Sequence, residues 1–317
     1  MSRITFSNRV QMSAFALLFA GILVFLPIHA TPQEQPEKMV ILQVRVTDAH
    51  KKPVTDVPQE RFQVTEDGVP QTIALFSNKE VPLTYGLVVD CSGSIRPLLS
   101  AVIGASKRIV NTNLPEDEAF LIRFISSDKL TVVQELTSDK EQLLDALDKL
   151  YIEGGETALI DAVYASAEKL AKLKPQPGQI RRKALVLVTD GEDRNSYYKA
   201  DALFKFLGTT DIQIYVVGFT DELPQKSKPQ ALALLNRLAL DTGGRAFISA
   251  SRNELTPISE QIIQDIRTQY TIGYVPSKNN ANNNFHKVQV SIADDPAQEK
   301  RIAVTRLGYE TLAQSTQ

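Results

Sequence analysis

The chain has 317 residues, 23% charged and 43% hydrophobic, the composition of a soluble globular protein with room for one sizeable domain and a smaller one. Its 35 Lys and Arg against 37 Asp and Glu give a formal net charge of −2. That balance argues against a nucleic-acid binder, which carries a basic excess or patch. The lone cysteine, Cys91, excludes an internal disulfide, and three scattered histidines, His29, His50 and His286, supply no zinc-site spacing.

The chain opens with Arg3 and Arg9, then an apolar run over residues 12–26, then Pro27-Ile28-His29-Ala30. Positive, apolar and small in that order is the pattern of a secretory signal peptide, with cleavage expected after Ala30. The run is short for a spanning helix of about 20 residues, which favours a cleaved leader over a membrane anchor. The membrane enters only if the leader stays uncut. No cysteine lies near the cleavage point to carry a lipid. Removing residues 1–30 leaves 33 basic against 37 acidic residues. The expected location is exported, periplasmic or secreted.

Residues 31–38 are polar and Pro-rich, a linker. Residues 40–47 alternate apolar and polar, a strand with one buried face. Phe62, Val64 and Glu66 continue the alternation, Asp67-Gly68 signals a hairpin, and a strand returns over 72–76. From Pro82 the pattern changes to apolar strands alternating with helical stretches. This predicts an α/β fold with a doubly wound, mostly parallel sheet. Strands are expected at 85–89, 118–125, 130–136, 184–189, 212–219 and 245–248. Helices are expected at 95–110, 140–150, 158–173, 199–207, 229–241 and 255–267. In the second helix Ser138 and Glu141 read as a capping box, and Leu143, Leu144, Leu147 and Leu150 form a core face. Asp241-Thr242-Gly243-Gly244 reads as a glycine helix end.

After Arg267 the pattern is β again, at 270–275, 285–292 and 301–304, with an Asn-rich loop at 279–284 and a polar tail at 311–317. About three strands on each side of the α/β segment would be marginal alone. They are expected to pair into one small β-sandwich with the α/β domain inserted between them; two separate extensions are the alternative. The division is then leader 1–30, linker and N-terminal β segment 31–81, α/β domain 82–265, C-terminal β segment 266–310 and tail.

The chemistry concentrates at the carboxyl ends of the buried strands, where open α/β sheets bind ligands. The strand at 85–89 runs into Asp90-Cys91-Ser92-Gly93-Ser94. Thr157 lies in Gly154-Gly155-Glu156-Thr157, at the mouth of a helix. Asp190 follows the strand at 184–189. Taken singly, the serines and Thr157 read equally as helix caps and Asp190-Gly191 as a turn. Glu192 and Asp193 read as solvated rim charges. Glu156 either adds a carboxylate or points outward. Cys91 reads as a small buried residue, with a redox-sensitive thiol as the alternative.

Together these elements resemble the metal-ion-dependent adhesion site of von Willebrand factor type A domains. Asp90, Ser92 and Ser94 match its Asp-x-Ser-x-Ser, Thr157 its lone threonine and Asp190 its second aspartate. The resemblance covers about residues 82–265. Residues 62–71, Phe-Gln-Val-Thr-Glu-Asp-Gly-Val-Pro-Gln, are similar to the segment preceding that domain in exported bacterial proteins.

The resemblance implies a divalent ion held directly by Ser92, Ser94 and Thr157 and mainly through water by Asp90 and Asp190. Hydroxyl and carboxylate oxygens suit Mg²⁺, or Mn²⁺ or Ca²⁺. A Glu or Asp from a protein partner would complete the coordination. No nucleophile elbow, phosphate loop or dinucleotide fingerprint is present. The expected function is an exported metal-dependent protein-binding module and no enzyme. A metal-dependent phosphatase or hydrolase, and a scaffold with a vestigial site, are the other readings.

Overall fold

Alternation over the first strand gives β1 (Val40–Thr47), with Val40, Leu42, Val44 and Val46 buried. The computed structural model describes residues 39–311 apart from 175–178, 222, 249–251, 278–283 and 295–298. The expected leader, linker and most of the Asn-rich loop and tail lie outside these residues. β2 (Phe62–Glu66) and β3 (Val69–Gln71) form a hairpin about Asp67 and Gly68, at φ 49° and 82°. Two positive φ values in succession are the turn geometry that Asp-Gly favours. β4 (Ile73–Ser77) follows at once but joins a different sheet, so the single strand expected at 72–76 is preceded by another, and the chain changes sheets at Thr72.

The alternating α/β segment contains β5 (Leu83–Asp90), α1 (Leu99–Asn111), β6 (Glu118–Phe124), β7 (Leu130–Thr137), α2 (Lys140–Asp148) and α3 (Leu159–Lys172). It continues through β8 (Arg182–Thr189), α4 (Ala200–Gly208), β9 (Ile212–Gly218), α5 (Lys228–Thr242), β10 (Arg245–Ile248) and α6 (Leu255–Arg267). The six strands pair in the order β10-β9-β8-β5-β6-β7, parallel except for β7. α1, α2 and α6 pack on one face and α3, α4 and α5 on the other. All eight residues of β5 are buried, as a strand covered on both faces requires. Gly86 lets Phe120 cross it: a Cβ there would lie 2.3 Å from the Phe120 ring.

Two local expectations are corrected. The N-cap of α2 is Asp139, whose carboxylate accepts from the amides of Glu141 (2.9 Å) and Gln142 (3.3 Å). The Ser138–Glu141 capping box therefore does not form; the carboxylate one residue on is a charged acceptor for the same amides. Helix α1 begins at Leu99, not at 95. A short 3₁₀ turn, Gly93–Ile95, comes first, and Pro97 has no amide to donate. The end of α5 agrees: Gly243 stands at φ 77° as its C-cap.

The flanking β segments pair across the whole α/β segment. β11 (Gln269–Tyr274) runs antiparallel to β1, with Val40 opposite Tyr274 and Arg45 opposite Gln269. β12 (Phe285–Ile292) pairs with β2. With β13 (Ile302–Val304) and β14 (Gly308–Glu310) they build two four-stranded sheets, β13-β1-β11-β4 and β14-β12-β2-β3. Both sheets contribute to one core of Leu42, Val44, Phe62, Val64, Tyr270, Ile272 and Val288. This is the expected sandwich; strand β14 was not anticipated.

Arg182 joins the sandwich to the α/β sheet. It is 2% exposed, at the start of β8. Its guanidinium donates to the carbonyls of Ile266, Arg267 and Gln269 and to the side chain of Gln43. Asp265 of α6 adds ion pairs to Arg45 of β1 (3.1 Å) and Arg245 of β10 (3.3 Å). Among the described residues no helix is long and apolar enough to cross a membrane.

Candidate metal centre at the carboxyl edge of the sheet

Asp90 ends β5, and Asp190 follows β8, the neighbouring strand. Both are buried, at 0% and 3% exposure. The Oδ1 of Asp90 accepts from the Ser92 amide (2.9 Å) and its Oδ2 from the Thr189 hydroxyl (2.9 Å). Asp190 Oδ1 accepts from the Glu192 amide at 2.9 Å. Ser92 and Ser94 place their hydroxyl oxygens 3.0 Å apart, Ser92 buried and Ser94 exposed. Thr157 is buried, just before α3.

Backbone hydrogen bonds hold the three loops together. Cys91 donates to the Phe124 carbonyl (2.9 Å) and accepts from the Glu153 amide (3.0 Å). The Thr157 carbonyl accepts from the amides of Arg194 (2.8 Å) and Asn195 (3.3 Å), and Ala158 donates to Ile125 (2.8 Å). The loops carrying Asp90, Thr157 and Asp190 are thus tied to one another directly or through β6.

Two buried carboxylates share this edge of the sheet. Burial, with the Asp190 carboxylate close by, pushes Asp90 up to about 6. Neither Asp90 nor Asp190 has a salt-bridge partner among the described residues. Buried carboxylates are ordinarily paired or coordinate metals. Two of them beside two hydroxyl oxygens make a hard, oxygen-rich donor set, which fits a divalent cation. Burial likewise pushes the Cys91 thiol up to about 12, the reverse of an activated thiol.

Several residues around this site were not legible in the sequence. Thr189 orients Asp90. Asp193, read as a solvated charge, accepts from the Ile160 amide at the start of α3 (3.1 Å) and from Ser196. Asp161 accepts from the amides of Tyr197 (2.8 Å) and Tyr198 (2.9 Å) and from the Ser127 hydroxyl (2.6 Å). Glu192 is paired with Arg194, and Glu156 is exposed. The only signal for Asp161 or Asp193 is an acid near a helix N-terminus, which is common for other reasons.

A second grouping of ligand-type atoms lies in the sandwich: Glu66, Asp67 and His286. Glu66 Oε2 accepts from the hydroxyls of Tyr274 (2.6 Å) and Tyr309 (2.9 Å). His286 Nδ1 lies 3.0 Å from Asp67 Oδ2, and Asp67 Oδ1 accepts from the Lys287 amide (2.8 Å). These bonds satisfy the buried Glu66 and join β2, β11, β12 and β14, so the grouping is accounted for as a polar network closing the sandwich.

Solved structures resemble the chain at low identity. A von Willebrand factor type A protein from Catenulispora acidiphila is 14% identical, covering 85% of this chain and 73% of its own, with a TM-score of 0.49. The von Willebrand factor domain of the type V pilus tip protein Mfa5 from Porphyromonas gingivalis is 12% identical over 59% of this chain and 95% of its own, with a TM-score of 0.48. The mussel byssus proximal thread matrix protein 1, with a zinc-occupied MIDAS motif, is 19% identical over 65% of this chain and 50% of its own, with a TM-score of 0.48. No curated protein matches the chain. The sequence matches the von Willebrand factor type A domain across residues 86–261, more than half of its length, and the chain belongs to that family.

Proposed function

We propose that this protein is an exported, metal-dependent protein-binding module. Asp90, Ser92, Ser94, Thr157 and Asp190 hold a divalent cation at the carboxyl edge of the sheet, and a Glu or Asp of a partner protein completes its coordination. The observation that carries this reading is the pair of buried carboxylates, Asp90 and Asp190, at the ends of adjacent strands with no salt-bridge partner among the described residues, beside the Ser92 and Ser94 hydroxyls. The family's members are mostly interaction modules, which favours binding over catalysis. When bound, the cation supplies a positive charge that a partner carboxylate can neutralise.

The chain's own residues set how that charge is presented. Both Asp90 oxygens are already engaged, by the Ser92 amide and the Thr189 hydroxyl, so Asp90 acts on the ion mainly through water or at a distance. Hydroxyl ligands are neutral, so much of the ion's charge remains for the partner. The oxygen donor set favours Mg²⁺, with Mn²⁺ and Ca²⁺ as alternatives; the zinc in the mussel protein's motif shows that such a motif tolerates another ion there. Export rests on the leader pattern of residues 1–30.

Calorimetric titration with Mg²⁺, Mn²⁺ and Ca²⁺ tests the site, with and without added acetate as a carboxylate. Saturable binding of one ion per chain, lost in Asp190→Ala and in Ser94→Ala, is expected. Absence of binding under both conditions sinks the reading.

A further inference from the structure

The sandwich meets the α/β sheet at the sheet's amino edge, opposite the candidate metal centre, where β8 begins at Arg182 and β9 at Ile212. A cavity of about 170 Å³ lies in that seam, between β1, the starts of β8 and β9, and the link from β13 to β14. One water needs about 10–15 Å³ of such space, so the cavity has room for a small molecule.

The lining is cationic. Arg181, Arg182, Lys183 and Arg306 share it with a single acid, Asp211. Arg181 is paired with Glu118 at 2.9 Å, and Lys183 lies 3.8 Å from Asp211. Among the described residues, neither Arg182 nor Arg306 has a carboxylate within ion-pair distance. The ion pairs at the end of α6 cancel one another: Arg45 and Arg245 share Asp265, while Arg267 serves both Glu80 and Asp117. Two positive charges are left over. The neutral polar side chains of the lining do not offset them. Thr242, Thr305 and Gln213 donate to the carbonyls of Leu238, Gln43 and Gly243.

Arg306 has a donor to spare. Its Nη1 donates to the Thr210 carbonyl (3.0 Å) and its Nη2 to the Ile41 carbonyl (3.2 Å). Its Nε is buried and has no hydrogen-bond partner in the protein. Buried nitrogens are ordinarily bonded, so this one calls for an acceptor. Burial also pulls the Arg306 guanidinium below the usual arginine range, the sign of a cation short of compensation. Arg182 differs. Its Nε and both terminal nitrogens are spent on Gln43 and three carbonyls, so it acts on the cavity through its charge.

We propose that this cavity binds a small, doubly charged oxyanion, with Arg306 donating hydrogen bonds to it and Arg182 and Lys183 supplying the field. Two uncompensated cations match two negative charges, and a guanidinium makes its strongest hydrogen bonds to oxyanions. Free phosphate, a phosphate monoester and a dicarboxylate share that chemistry. The site does not rest on the metal-dependent reading, since it lies at the other edge of the sheet.

The test is calorimetry on the whole protein in EDTA, at constant ionic strength. The probes are inorganic phosphate, glycerol phosphate and succinate, with acetate as the singly charged control. At least one dianion is expected to bind at one site per chain, about tenfold or more tighter than acetate, and the tightest of the three identifies the source. Arg306→Gln should weaken it about tenfold or more, the loss of a charge-assisted bond. Asp211→Asn removes the cavity's one acid at an exposed position and should tighten binding several-fold, a readout that survives even if Arg306→Gln fails to fold. Asp190→Ala should leave binding unchanged. Dianions that bind no better than acetate, or with the same affinity in Asp211→Asn as in the parent, overturn the proposal. So does undiminished binding in a folded Arg306→Gln.

Discussion

The Thr189 hydroxyl donates a 2.9 Å hydrogen bond to Asp90 Oδ2, across the pairing of β5 and β8. The same Thr189 oxygen accepts from the Gly191 amide at 3.1 Å. One hydroxyl thus fixes the rotamer of Asp90 and the start of the Asp190 loop. Groups that orient metal-site residues typically contribute 10–100-fold in affinity. Thr189→Val should therefore weaken Mn²⁺ binding by about tenfold or more while circular dichroism stays that of the parent. Unchanged affinity in this variant would show that Asp90 needs no such support.

Asp161 fastens the tyrosine-bearing loop to α3 through two hydrogen bonds, from the Tyr197 and Tyr198 amides. Asp161→Ala leaves the Tyr197 and Tyr198 amides without that acceptor. Hydrogen exchange at residues 195–199 should accelerate, and global stability should fall by about 1 kcal/mol, since the two amides are only part-buried and water replaces some of the lost acceptor. Exchange at the parental rate would mean that the loop is held by its other bonds, from the Arg194 and Asn195 amides to the Thr157 carbonyl and from Ser127 to the Asn195 carbonyl.

Arg182 satisfies the last carbonyls of α6 and the first residues of β11. Burial pulls its guanidinium down to about 10, so it remains charged at neutral pH and interacts with the carbonyl end of the helix. Arg182→Met should cost about 3 kcal/mol or more in urea unfolding, since several buried acceptors lose their donor. Arg182→Lys should recover only part, because an ammonium cannot reproduce the guanidinium fork. Full recovery by lysine would show that charge alone suffices.

The tyrosines supply a pH prediction. Burial raises Tyr85, Tyr215, Tyr270, Tyr274 and Tyr309 above the usual phenol range, and for Tyr274 and Tyr309 the Glu66 carboxylate adds to the effect. A raised folded value means that the folded chain holds phenol protons which the unfolded chain releases. Stability is thus fully present below the ordinary tyrosine value of 10 and declines as pH rises above it. Alkaline difference absorbance should show these five ionising together in a cooperative step as the chain unfolds. A gradual titration of these five with no unfolding step would contradict this arrangement.

Much of the architecture was legible because its cause is local. Continuous apolar runs at 85–89 and 184–189 mark strands covered on both faces, and helical spacing marks α6 at 255–267, with the bounds the structure gives. Asp67-Gly68 specifies its turn through the backbone freedom of those two residues. Asp90, Ser92, Ser94, Thr157 and Asp190 were singled out by their resemblance to the adhesion-site pattern, at two strand ends and at the mouth of α3.

Tertiary structure decided what depends on distant partners. Periodicity could suggest that the flanking segments pair, but the register of Val40 on Tyr274 joins residues separated by the whole α/β segment and is written in neither strand alone. Arg182 looks like any charged residue before a strand until three carbonyls from the end of α6 and the start of β11 converge on it. Thr189 reads only as a β-branched strand residue, and its role as Asp90's partner follows from the parallel register of β5 and β8. The sequence by itself determined the elements and the donor atoms at their ends. The fold decided which side chains are buried together, because burial and Coulomb interaction depend on distance in space rather than along the chain.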